Sequence, residues 1–192
     1  MWAKGPTCDS QGQRPWSSTA QEISGGRFVL GLGAGTSPAS KFAAEPRALG
    51  IEIGSTLAER HARLENTLDV IDSMWADDRD PQWRGFAQPK PRPPRLLGVN
   101  SRALATIAGA RTNGVNVRST HPDLAGILDA ARSARRDPFE PWMTTTWSPW
   151  DAALADPDHP ERQRLAGLGV ERLVLVWMTP PDIKEIASLR RT

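Results

Sequence analysis

The sequence predicts an α/β fold made of five consecutive parallel βα units, and three observations carry that expectation. From residue 27 onward, five short apolar runs alternate with five helical patterns, the signature of a parallel sheet whose crossovers are helices. The first run lies within Ile23 to Gly35, ISGGRFVLGLGAG, and ends in alternate glycines at Gly31, Gly33 and Gly35. A buried parallel strand ends this way when bare backbone must lie close to a ligand. The right-handed crossover rule then leaves few topologies open.

Composition bounds the rest. With 192 residues, 39% hydrophobic and 24% charged, the chain can bury one globular core. No apolar run reaches the roughly 20 residues that span a bilayer, and the first sixteen residues lack the apolar core of a signal peptide, so cytoplasm is the default expectation. Cys8 is the only cysteine, which rules out a disulfide or a cysteine-built zinc site within the chain. Lys and Arg number 24 against 22 Asp and Glu, and they are scattered, which argues against nucleic acid as the main partner.

Residues 1–22 are rich in Gly, Ser, Gln and Pro and show no periodic apolar face, so they read as a loose leader before a single unit at 23–192. Arg27 to Leu32 is the first strand, and the twenty-odd residues after it, 36–54, read as a functional loop or insertion. Thr56 and Glu59 have capping-box spacing, and Leu57, His61, Leu64, Leu68, Ile71 and Trp75 form one stripe of a long helix. The proline-rich Gln88 to Arg95 suits either an SH3-like partner or an entry loop. Its position between core segments favours the loop.

Leu96 to Val99 is the second strand, Arg102 to Arg111 a small-residue helix, and Gly114 to Val117 the third strand. Pro122 opens a helix through Leu124, Ile127, Leu128 and Ala131. Trp142 to Trp147 follows as a strand, Pro160 to Leu168 as a short helix, Glu171 to Trp177 as the clearest strand, and Asp182 to Leu189 as a closing helix. Leu30, Leu97, Val115, Val174 and Val176 are expected in or beside the strand core.

Taken in order, SGGRFVLGLGAG, ERHARLENTLDVIDSMW, PPRLLGVNSRALATIAGARTNGVNV and GVERLVLVW resemble the C-terminal part of the bacterial luciferase-like monooxygenases, most closely the branch that uses the deazaflavin coenzyme F420. The resemblance covers about residues 20 to 192. It implies a partial (β/α)8 TIM-type barrel in which this chain supplies strands four to eight. It also implies an oxidoreductase that transfers hydride between F420, or alternatively FMN, and a small organic substrate. Full-length members would form homodimers. The family's first three strands, which carry the catalytic groups, have no counterpart here, so the resemblance implies a truncated form with catalytic residues unknown. A non-catalytic remnant is the alternative.

The resemblance also assigns sites. Gly33, Ala34 and Gly35 match the glycine-rich end of the fourth strand, where the coenzyme ring approaches. Gly98, Val99, Asn100 and Ser101 match the end of the fifth, where backbone N–H groups hold its phosphate; Val-Asn departs from the small pair of many relatives. Thr112, Asn113 and Gly114 stand where relatives often have Ala-Asp-Gly, and Arg118 would face substrate.

Other residues weigh less. His61 reads as a core histidine, His121 as a helix N-terminal residue on the functional face, and His159 as a turn, with no metal spacing among them. Trp142, Trp147, Trp150 and Trp177 could line an aromatic pocket or simply pack. A Rossmann-type nucleotide enzyme would need a helix directly after Gly35 and an acidic residue ending the next strand, and neither is evident.

Overall fold

The computed structural model describes residues 16–136, 142–183 and 186. Its centre is a five-stranded sheet of β1 (Leu30–Gly33), β2 (Arg95–Gly98), β3 (Gly114–Arg118), β4 (Met143–Pro149) and β5 (Arg172–Val176). All neighbours are parallel and the spatial order equals the chain order. That order lacks the reversal at which a doubly wound sheet binds its dinucleotide, so the Rossmann alternative fails on topology.

The helices are α1 (Trp16–Ile23), α2 (Ala44–Ala48), α3 (Leu57–Trp75), α4 (Arg102–Arg111), α5 (Leu124–Ser133) and α6 (Pro160–Gly167). α3 starts where the spacing placed it. Thr56 Oγ1 accepts from Glu59 N–H, and Glu59 Oε2 accepts from the N–H groups of Ser55 and Thr56. α4 and α5 cover one face of the sheet. Leu104, Ala105, Ala108, Ile127 and Leu128 pack there on Leu97, Val99, Val115 and Val117. Leu97, Ile127 and Leu128 are almost wholly enclosed, each contributing about 1.5–3 kcal/mol of burial.

The helices touch closely because Gly109 lacks a side chain. A Cβ there would lie 2.1 Å from the Ala131 carbonyl oxygen.

Two expectations need correction, the loose leader and the helix start at Pro122. Residues 16–22 are not loose leader but part of α1, which buries Ser17, Ser18 and Gln21. Ser18 Oγ donates to the Ala87 carbonyl and Gln21 Nε2 to the Pro91 carbonyl, both at 2.7 Å, so polar groups dock the helix and no apolar stripe marks it. The same bonds tie down the proline-rich loop as the entry to β2. The segment 36–54 contains a 3-10 turn, Lys41–Ala43, and α2. Pro122 precedes the helix, whose N-cap is Asp123. Val176 is 37% exposed and Leu30 and Val174 are half-buried, since they sit on or near the outer strands, whereas Leu97 and Val115 are enclosed.

His61 is half-buried, and its Nε2 is enclosed without a hydrogen-bond partner among the described residues. Residues 1–15 of the expected leader and most of the closing helix at 182–189 lie outside the described residues; Ile183 and Ile186 are helical.

Candidate functional site

Successive strand residues point to opposite faces. Because Leu32, Leu97, Val115, Val117 and Leu173 pack toward the helices, their neighbours Gly33, Gly98, Asn116, Thr145, Trp147 and Val174 line the other face. At the carboxyl ends of the first strands that face is nearly bare. Gly33 and Gly98 are register partners across β1 and β2. A Cβ on Gly33 would meet nothing within 4 Å, and one on Gly98 would only touch the Leu32 carbonyl at 3.6 Å. A planar ring could therefore lie against the backbone here.

The chain leaves β1 through Ala34 and Gly35, whose φ of +76° suits a glycine and turns the backbone away from the sheet. At the end of β2, Val99 is buried and its N–H donates to the Asn116 carbonyl at 3.0 Å, so that group is spent on the sheet. Ser101 caps α4, its Oγ accepting from Leu104 N–H at 3.3 Å. The N–H groups of the first turn of α4 have no helical acceptor, and with the helix dipole they form an anion-facing end. Arg102 opens the helix. Its guanidinium pairs with Asp123 at 2.7 Å, and this hydrogen bond holds the Asp123 carboxyl below its usual range.

Farther along the same face, Thr145 Oγ1 lies 2.9 Å from both Asn116 Oδ1 and the Val115 carbonyl oxygen and shares its single proton between them. The exposed Arg118 lies at the end of β3 with its guanidinium carbon 5.5 Å from the Trp147 ring centre. Sequence reasoning singled out Arg118 but not Asn116 and Thr145. The polar residue inside GVNVR was the available signal.

The other candidates separate. Thr112, Asn113 and Gly114 sit at the amino end of β3, where Asn113 Oδ1 accepts from Arg95 N–H at 3.0 Å, a structural bridge. His159 caps α6, its Nδ1 accepting from Glu161 N–H, while His121 Nδ1 accepts from Asp123 N–H in the turn before α5. The tryptophans divide by face. Trp142 packs against the helix-side core and Trp147 lies on the open face. Trp150 and Trp177 stack on each other with ring centres 4.3 Å apart, beyond the ends of β4 and β5.

Comparison with known proteins adds to this geometry. Residues 17–146 match the family described as luciferase-like monooxygenase. No curated protein matches the chain. An F420-dependent secondary alcohol dehydrogenase, solved with an F420–acetone adduct, superposes with a TM-score of 0.56 at 14% identity, over 96% of this chain and 68% of that one. MsnO8 in its apo form gives 0.56 at 16% identity, over 90% and 69%. EDTA monooxygenase from Chelativorans sp. BNC1 gives 0.50 at 16% identity, over 97% and 48%. At such identities the likeness is one of fold: a parallel α/β sheet consistent with part of a TIM-like barrel.

Proposed function

The chain belongs to the luciferase-like monooxygenase family, and from that premise we propose that it is an oxidoreductase moving hydride between F420, or alternatively FMN, and an organic substrate. The paired bare backbone of Gly33 and Gly98 carries this reading, because it leaves room for a planar ring at the carboxyl ends of parallel strands. Fold neighbours named for F420-dependent alcohol oxidation and for EDTA monooxygenation are in keeping with it. In this proposal the five strands are the fourth to eighth of the barrel.

Such a coenzyme supplies a carbon that gives or takes a hydride. Gly33, Ala34 and Gly35 admit the ring. Gly98 keeps its second edge clear, and the turn Val99, Asn100 and Ser101 presents the first N–H groups of α4 to the phosphate. Val99 contributes shape alone, as its own N–H is engaged. Asn116 and Thr145, held together at 2.9 Å, offer a fixed polar floor beside the ring. Arg118 faces the substrate.

Fluorescence titration with F420 and with FMN tests the site. Gly33→Val is the informative variant, because the protein itself has open space there and a β-branched residue suits a strand. A large loss of affinity in a variant as stable as the parent is expected. Unchanged binding would show that no ring lies over β1.

A further inference from the structure

Charge is distributed unequally over the two faces of the sheet. On the helix-bearing side, Arg95, Arg102, Arg111, Arg132 and Arg164 each hold a carboxylate. On the open face, strand residues supply two guanidiniums, Arg118 and Arg172, and no carboxylate; neither has an ion pair among the described residues. An unpaired guanidinium fixed beside an indole is more than a solvated charge. Arg118 Cζ lies over the Trp147 ring, 5.5 Å from its centre, a cation–π contact that restrains the flat group; a guanidinium so held can take a carboxylate with two hydrogen bonds.

The neighbours of this clamp are apolar. Val174 is the register partner of Trp147 on β5, and Val176 lies one step beyond on the same face. The site thus pairs one preorganised cation with an apolar wall, and it lies about two strand spacings, ~10 Å, from Gly98. Arg172, one step nearer the amino end of β5, adds positive potential without reaching the same position.

We propose that the open face selects an organic acid: a monocarboxylate with an apolar, planar body, its carboxylate on Arg118 and its body against Trp147 and Val174. This rests on the reading of the strand ends as the ligand face and specifies the substrate class for it. Acids would be recognised by charge and shape together, while neutral alcohols, amides and amines of the same size would be discriminated against.

Benzoate and its uncharged counterpart benzamide are the probes, titrated calorimetrically into the 192-residue chain and into Arg118→Gln, Arg118→Lys and Arg172→Gln. Arg118 is exposed, so its replacement leaves the core intact, which circular dichroism checks. The parent should prefer benzoate by about tenfold, the scale of a hydrogen bond to a charged group. Arg118→Gln should abolish that preference, Arg118→Lys should keep part of it, and Arg172→Gln should keep most. Equal binding of the two probes by the parent, no benzoate binding, or a preference surviving in Arg118→Gln would overturn the assignment. F420 titration of the same samples separates the two readings. If F420 fails to bind while the benzoate preference depends on Arg118, the coenzyme reading fails and the acid clamp stands. If Arg118→Gln weakens F420 and leaves benzoate unchanged, Arg118 serves the coenzyme and the clamp is refuted.

Discussion

Asp123 shows how one pair can set an acid limit on this protein. Its carboxyl is held below the ordinary value of 3.8 chiefly by the hydrogen bond from Arg102, which joins the starts of α4 and α5. A folded-state pKa lower than the unfolded one gives stability that is fully present above the unfolded value and is lost as pH falls through the folded one. The melting temperature of the parent should therefore exceed that of Asp123→Asn at pH 6, and the gap should close as pH drops below about 4. A gap that stays constant with pH would mean that the pair contributes nothing through ionisation. Gly35 is the second instructive residue. With φ at +76°, any side chain there is strained, so Gly35→Val should lower stability by about 1 kcal/mol in urea denaturation even without ligand. A loss of binding in that variant would mix two causes, which Gly33→Val avoids.

Elements differ in how plainly the sequence announced them. α3 was legible because its apolar stripe and its Thr56–Glu59 box are both local patterns, and β2, β3 and α4 because alternation and small residues mark them. α1 was not, because Gln21 and Ser18 dock it through bonds to residues about 70 positions away, a contact no local window contains. Within the site, Gly33, Gly98 and Ser101 were readable as strand ends. The pairing of Asn116 with Thr145, and of Arg118 with Trp147, depends on the register between β3 and β4, which spacing along one strand cannot supply.

Two measurements belong at this scale. Thr56→Ala removes the oxygen that accepts Glu59 N–H and should cost about 1 kcal/mol, seen as a lower urea midpoint with an unchanged slope. Gly109→Ala sets two effects against each other. Helix propensity favours alanine by about 1 kcal/mol, but the new methyl would sit 2.1 Å from the Ala131 carbonyl oxygen, where backbone has to move. Overpacking of this kind costs about 1–3 kcal/mol, so net destabilisation is expected. A stabilised Gly109→Ala would mean that α4 and α5 are not in this close contact.

For the whole molecule, the consequence of the strand order is an uneven distribution of stability. β3 is paired on both sides and flanked by enclosed core, whereas β1 and β5 each have one strand neighbour among the described residues. Native-state hydrogen exchange should find the amides of Val115 and Val117 slowest, with those of Leu30 to Leu32 and Leu173 to Val176 exchanging sooner. Uniform protection across the five strands would mean that the outer edges are covered. No helix among the described residues is long and apolar enough to cross a membrane.

The match between spatial order and chain order carries one last implication, for assembly in time. Each strand pairs with the one before and the one after it in sequence, so from β2 onward each new strand finds its partner already made, whereas α1 waits for Ala87 and Pro91 and β1 for β2. The sheet can grow as a zipper does, from either end or from the middle, with each new unit laid against a finished neighbour. A ribosome emitting this chain from its amino end would thus release, from β2 onward, strands that already have a neighbour to dock against.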